Sequence, residues 1–127
     1  MREPFTVTIL GQPASKSNRR RWVKNRKTGK MLSIKSPEAL AYEQSVKAQV
    51  IRIAPLFLAP IKATIHIWYK THQSDLDPST LLDALQDRLY ANDRAIKEMH
   101  LFHHIDKVNP RATVTLEQLN DQQLSVS

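Results

Sequence analysis

The chain contains no cysteine. That excludes a disulfide scaffold, a Cys-ligated zinc centre and a thiol nucleophile. Glycine is nearly as scarce, with Gly11 and Gly29 the only two in 127 residues, so a glycine-rich loop cradling phosphates is excluded as well. The longest apolar run, Ile53-Ala54-Pro55-Leu56-Phe57-Leu58-Ala59-Pro60, is too short to cross a bilayer and is broken by prolines. Met1-Arg2-Glu3-Pro4 leads straight into an alternating pattern with no signal peptide in view. These absences lead us to expect a soluble, cytoplasmic protein with no membrane partner. One further absence is local: no acid occurs between Glu3 and Glu38.

What fills that gap is positive charge. Lys16, Arg19, Arg20, Arg21, Lys24, Arg26, Lys27, Lys30 and Lys35 place nine of the 19 cations within 20 residues, in a chain of net charge +7. Charges at that density repel one another unless an anion neutralises them. Asn25-Arg26-Lys27-Thr28-Gly29 reads as a hairpin tip between Arg21-Trp22-Val23 and Met31-Leu32-Ser33-Ile34. Such an arm, spanning about residues 14–35, suits a phosphate backbone, with Trp22 stacking on a base or packing underneath. A solvated loop is the plainer alternative.

The rest of the chain reads as one domain over residues 1–127. Phe5, Val7 and Ile9 alternate with threonines as a first strand, which Gly11-Gln12-Pro13 ends. Ser36-Pro37-Glu38 has the form of a helix start, with an apolar stripe through Ala39, Tyr42, Val46, Val50 and Ile53 before Pro55. Ile61 to Tyr69 is the clearest strand, alternating apolar and polar over nine residues. Residues 78–90 read as a helix with Asp77 at its cap and Leu81, Leu82, Leu85 and Leu89 on its core stripe. The phase of Met99, Leu101, His103 and Ile105 favours a strand, and Ala112, Val114 and Leu116 make a closing one. The expected fold is α/β or α+β, a small mixed sheet with two main helices, and a polar tail from about residue 120.

Against the basic background, six of the 12 carboxylates fall between Asp75 and Glu98. Asp75 and Asp77, at i and i+2 beyond the end of a strand, point the same way if extended. Like charges that close are unstable without a cation. Magnesium takes hard oxygen ligands, one or two of them carboxylates, and keeps waters and substrate phosphates for the rest of its shell. Asp93, returning after the second helix, is the candidate third ligand. A calcium loop of the EF-hand kind fails, because Thr80 and Gln86 stand where glycine and glutamate are required. The D-x-D-G-T motif of haloacid-dehalogenase-type phosphatases also fails, since Pro78-Ser79 replaces the glycine and only about fifty residues follow. His100, His103 and His104 lack the fourth partner of a zinc site and read as sheet residues, one of them near phosphate. A purely structural reading stays open, in which Asp77 caps a helix and Asp75 is a surface acid.

Taken together, Gly11-Gln12-Pro13-Ala14-Ser15-Lys16, the strand into Asp75-Leu76-Asp77, Leu82-Asp83-Ala84-Leu85 and Tyr90-Ala91-Asn92-Asp93-Arg94-Ala95-Ile96 resemble the RusA-type Holliday junction resolvases, over roughly Phe5 to Leu116. These are small endodeoxyribonucleases, usually borne by phages or prophages. The resemblance implies a homodimer that binds a four-way DNA junction and makes paired nicks dependent on Mg²⁺, with Mn²⁺ as a substitute. It maps the metal-binding, catalytic aspartates onto Asp75, Asp77 and Asp93; the basic arm, read above from its charge, is the candidate DNA-binding surface. The family's helix lysine, four residues after the second aspartate, is Leu81 here. Lys97 and Lys16 are the candidate replacements, and Asp83 is a fourth acid that could assist. The alternative function is a non-catalytic, basic nucleic-acid-binding protein.

Overall fold

The computed structural model describes residues 2–14 and 20–120, and of Arg20 the backbone alone. Lys16 and Arg19 of the expected DNA-binding set, and the tail from residue 121, lie outside the described residues. Among the described residues, six strands and two α-helices run in the order β1 (Phe5–Leu10), β2 (Arg20–Lys24), β3 (Met31–Lys35), α1 (Pro37–Gln49), β4 (Ile61–Tyr69), α2 (Ser79–Leu85), β5 (Ile96–Ile105) and β6 (Arg111–Gln118). Four strands form a mixed sheet ordered β1-β6-β4-β5, and β2 with β3 make a separate ribbon. The expected α+β architecture is the one found.

β4 is the central strand, antiparallel to β6 on one side and parallel to β5 on the other. Its alternation is complete: Ile61, Ala63, Ile65, Ile67 and Tyr69 are buried against α1 and α2, while Lys62, Thr64, His66 and Trp68 form the opposite face. A parallel neighbour requires a crossover. Residues 70–95 supply it, and that one connection carries Asp75, Asp77, Asp83 and Asp93. β5 begins with a bulge, where its pairing with β4 jumps from Ile96 to Glu98 and Lys97 is left over, exposed.

α1 starts as expected, with the Ser36 hydroxyl accepting from the Ala39 N–H at 3.1 Å and Pro37 in its first turn. It ends at Gln49, four residues short of Ile53, because Val50 turns extended. α2 corrects the sequence reading more strongly, spanning seven residues where thirteen were expected. The reason lies in competing partners. Ile53 N–H donates to the Arg88 carbonyl and Phe57 N–H to the Leu89 carbonyl, at 2.9 and 2.8 Å. The 86–90 segment thus bonds to the stretch before β4, and Asp87 takes a positive φ of 65° to turn into it. Leu89 is still buried in the core, so its burial was legible though its conformation was not.

Candidate functional site

The segment after β4 is built from short-range bonds. Asp77 is 8% exposed, and its Oδ1 accepts from the Ser79 N–H at 3.1 Å and from the Ser79 hydroxyl at 2.7 Å. This is an Asx turn at the residue expected to cap the helix; the cap position itself falls one residue later, on Pro78, which makes no side-chain bond. The Asp77 N–H donates to the Tyr69 hydroxyl, 3.2 Å away. Asp75 is exposed. The Tyr69 phenol is pushed above its ordinary pKa, first by burial and then by the negative charges of Asp77 and Asp75, while the bond from the Asp77 amide partly offsets the rise. Both carboxylates therefore act on one hydroxyl at the end of the central strand.

A second pair lies further along the crossover. The Tyr90 hydroxyl donates to the Leu82 carbonyl at 2.7 Å, in the core beneath α2. Its pKa is driven well up, first by burial and then by the charges of Asp93 and Asp83. Asp93 begins a single turn of 3-10 helix, Asp93–Ala95, in which the Asn92 side chain accepts from the Arg94 N–H at 2.9 Å. Asp83 is exposed on α2 and accepts from the Gln86 side chain at 3.3 Å. From Ser79, the partner of Asp77, to Asp83 the helix rises only roughly 6 Å.

The topology distributes these acids along the crossover. Asp75 follows the Tyr69 end of β4, whereas Asp93 enters β5 at the end that pairs with Ile61. Among the described residues, no group of three or more His, Asp or Glu side chains is arranged to hold a metal ion. The donor chemistry of the Asp75–Asp77 pair nevertheless fits a hard divalent cation, which needs only one or two carboxylates and completes its shell with water and phosphate.

The histidines separate in the manner of strand residues. His104 lies on the outer face, with Nε2 2.8 Å from His66 Nδ1 and its ring stacked on Trp68. His100 pairs with Glu98 at 2.7 Å, and that bond is the main cause of a lowered Glu98 pKa. His103 faces the other way, stacked on Tyr69 with Nε2 3.1 Å from the Ser74 carbonyl. Sequence reasoning missed Tyr69, Tyr90 and His103 as neighbours of the acids. The one local signal was that Tyr69 ends the core face of β4.

The basic ribbon has the expected form. Asn25 closes the tip: its carbonyl accepts from the Gly29 N–H at 2.7 Å and its side chain from the Lys27 N–H at 2.9 Å, with Gly29 at φ 74°. Arg21, Lys24, Arg26, Lys27 and Lys30 are exposed, and Lys35 is ion-paired with Glu43 of α1 at 2.5 Å. Trp22 is 68% exposed and Met31 55%, on one face of the ribbon, so Trp22 is not packed underneath.

No curated protein matches the chain. The family model described as Endodeoxyribonuclease RusA matches residues 11–117, from the end of β1 to near the end of β6. A basic chain that sets an aspartate pair beyond its central strand agrees with that match, and the chain belongs to the RusA endodeoxyribonuclease family, the Holliday junction resolvase endonucleases.

Proposed function

We propose that this chain is a divalent-metal-dependent endonuclease that nicks branched DNA at four-way junctions in recombination and repair, acting as a homodimer. The observation that supports it most is the Asp75-Leu76-Asp77 segment, fixed against Tyr69 on a chain of net charge +7. Asp75 and Asp77 would hold the ion, with Asp93 the third carboxylate. When bound, a magnesium or manganese ion supplies an activated water and positive charge against the charge that develops on the phosphate. The protein's own part is positional. Ser79 orients the Asp77 carboxylate through two hydrogen bonds, and Asp75 stays exposed to solvent and substrate. Arg21, Lys24, Arg26, Lys27 and Lys30 hold the DNA backbone, with Arg20, Arg19 and Lys16 extending that set, and exposed Trp22 offers a stacking surface. Lys97, exposed at the start of β5, is the described candidate for the missing helix lysine, and Asp83 the candidate fourth acid. A twofold protein presents two such sites to the two symmetry-related strands of a junction.

One observation favours a second reading, in which the acids are structural: Asp77 Oδ1 already closes the turn into α2. The substitution Asp77→Asn separates the two, because asparagine keeps an Oδ1 acceptor for Ser79 and removes the charge. On a synthetic four-way junction with Mg²⁺, wild type should nick, and Asp75→Asn and Asp77→Asn should lose on the order of 10²-fold or more in rate. Both variants should bind the junction in EDTA at least as tightly as wild type, having lost negative charge facing phosphate. Nicking by Asp77→Asn at the wild-type rate would favour the structural reading.

A further inference from the structure

His103 belongs neither to the acids nor to the basic ribbon, yet its side chain meets the acidic segment directly. Register pairs it with Ile67 on β4, and the neighbouring His104 lies on the other face of the sheet, among Trp68 and His66. The His103 ring stacks on Tyr69, with centroids 4.8 Å apart and planes inclined by 26°. Its Nε2 lies 3.1 Å from the Ser74 carbonyl oxygen. A carbonyl only accepts, so Nε2 carries the hydrogen, and the imidazole is a donor whatever its charge.

Tyr69 completes the arrangement, its hydroxyl accepting from the Asp77 N–H at 3.2 Å. Two rings packed face to face, one from β4 and one from β5, therefore grip both ends of the segment 74–77: His103 at the Ser74 carbonyl and Tyr69 at the Asp77 amide. The segment has no regular secondary structure of its own to hold it. Carboxylates that serve a reaction need supports on rigid elements, since a displacement of about 1 Å can cost on the order of 10²-fold in rate.

We propose that His103 is a positioning residue, which sets the Asp75-Leu76-Asp77 segment at the end of β4 through its Nε2–H bond to Ser74. The proposal rests on the nuclease reading and assigns that site a support from β5. Its chemical requirement is one N–H donor at the Nε2 position, carried on a side chain that packs against Tyr69.

Two substitutions separate the donor from the ring. His103→Phe keeps the stack on Tyr69 and removes the donor, whereas His103→Gln places an amide N–H close to the Nε2 position. Each is read three ways: steady-state nicking of a four-way junction with MgCl₂, thermal unfolding, and hydrogen exchange of the Asp77 amide in the free protein. The expected result for His103→Phe is a fall in kcat on the order of tenfold with KM unchanged, and Asp77 amide exchange faster on the order of tenfold, in a protein that still unfolds cooperatively. His103→Gln should recover most of both. The proposal is overturned if His103→Phe nicks at the wild-type rate, if its Asp77 amide exchanges as in wild type, or if His103→Gln restores neither. Should wild type nick no junction with any divalent ion, the nuclease reading falls, and the exchange comparison alone decides whether His103 holds the segment.

Discussion

The backbone N–H of Asp77 ends on the hydroxyl of Tyr69, eight residues earlier and 3.2 Å away. The bond joins the last core residue of the central strand to the second acid of the D-x-D segment, so the rigidity of the sheet passes directly to a carboxylate. Tyr69→Phe leaves the ring and its stack on His103 in place and strands a buried N–H, which costs about 1–3 kcal/mol. The expected outcome is a lower unfolding midpoint and slower nicking with metal-free junction binding intact. Nicking at the wild-type rate would show that the bond does not set the carboxylate.

How much of this was legible in the sequence varies with the range of the interactions involved. The alternation of Ile61, Ala63, Ile65, Ile67 and Tyr69 was readable because a half-buried strand has a period of two and nothing competes with it. The ribbon was readable from Asn25 and Gly29, whose turn bonds are local. The end of α2 was not, because Leu89 keeps the helical phase while residues 86–90 bond to a stretch more than thirty residues earlier. His103 was hidden for the same reason: it meets Ser74 29 residues away, through the parallel pairing of β5 with β4. The aspartates were visible as a pattern, but their division between Tyr69 and Tyr90 depends on where the crossover runs.

The exposed cations of the β2–β3 ribbon predict a salt signature. Removing Arg21, Lys24, Arg26 and Lys27 together leaves the turn bonds of Asn25 and Gly29 intact, since those use backbone groups and the Asn25 side chain. If each cation neutralises one phosphate, the slope of log K against log salt should shrink by roughly 3 to 4 in the quadruple alanine variant. A titration of junction binding against NaCl in EDTA measures it. An unchanged slope would remove the ribbon from the DNA interface.

Asp106 predicts a change at the acid end. Its Oδ1 accepts from the Val108 and Asn109 N–H groups at 3.1 and 3.0 Å, and its Oδ2 pairs with Arg111 at 2.9 Å, closing the turn from β5 to β6. The amide bond from Asn109 and the bond from Arg111 hold its pKa below the ordinary 3.8. A carboxylate depressed in the folded state stabilises above its unfolded pKa, and that contribution is lost as pH falls through the folded value. Asp106→Ala should therefore unfold at a lower temperature than wild type near pH 7, and the gap should narrow as the pH falls below the ordinary value of 3.8. A gap that stays constant with pH would mean the carboxylate charge contributes nothing.

Two buried tyrosines predict the alkaline end, with opposite outcomes on substitution. The Tyr90 hydroxyl has a partner in the Leu82 carbonyl at 2.7 Å, whereas the Tyr42 hydroxyl, buried in α1, has no hydrogen-bond partner among the described residues. Tyr90→Phe should destabilise by about 1–3 kcal/mol by stranding a carbonyl, and Tyr42→Phe should be neutral or stabilising, since it relieves a buried polar group. Burial is the first cause of the raised pKa of both phenols, with Tyr69 adding to Tyr42 and Asp93 and Asp83 adding to Tyr90. A phenol raised in the folded state contributes its stability in full below the unfolded value of 10.0, and above it the unfolded chain releases a proton that the folded chain retains. Stability should then fall by about 1.4 kcal/mol per pH unit for each such tyrosine. Urea unfolding of wild type and the two phenylalanine variants across about pH 9 to 11 checks this. Each variant should show a shallower alkaline decline than wild type, by one tyrosine's share, and parallel declines in all three would show that neither phenol stays protonated in the fold.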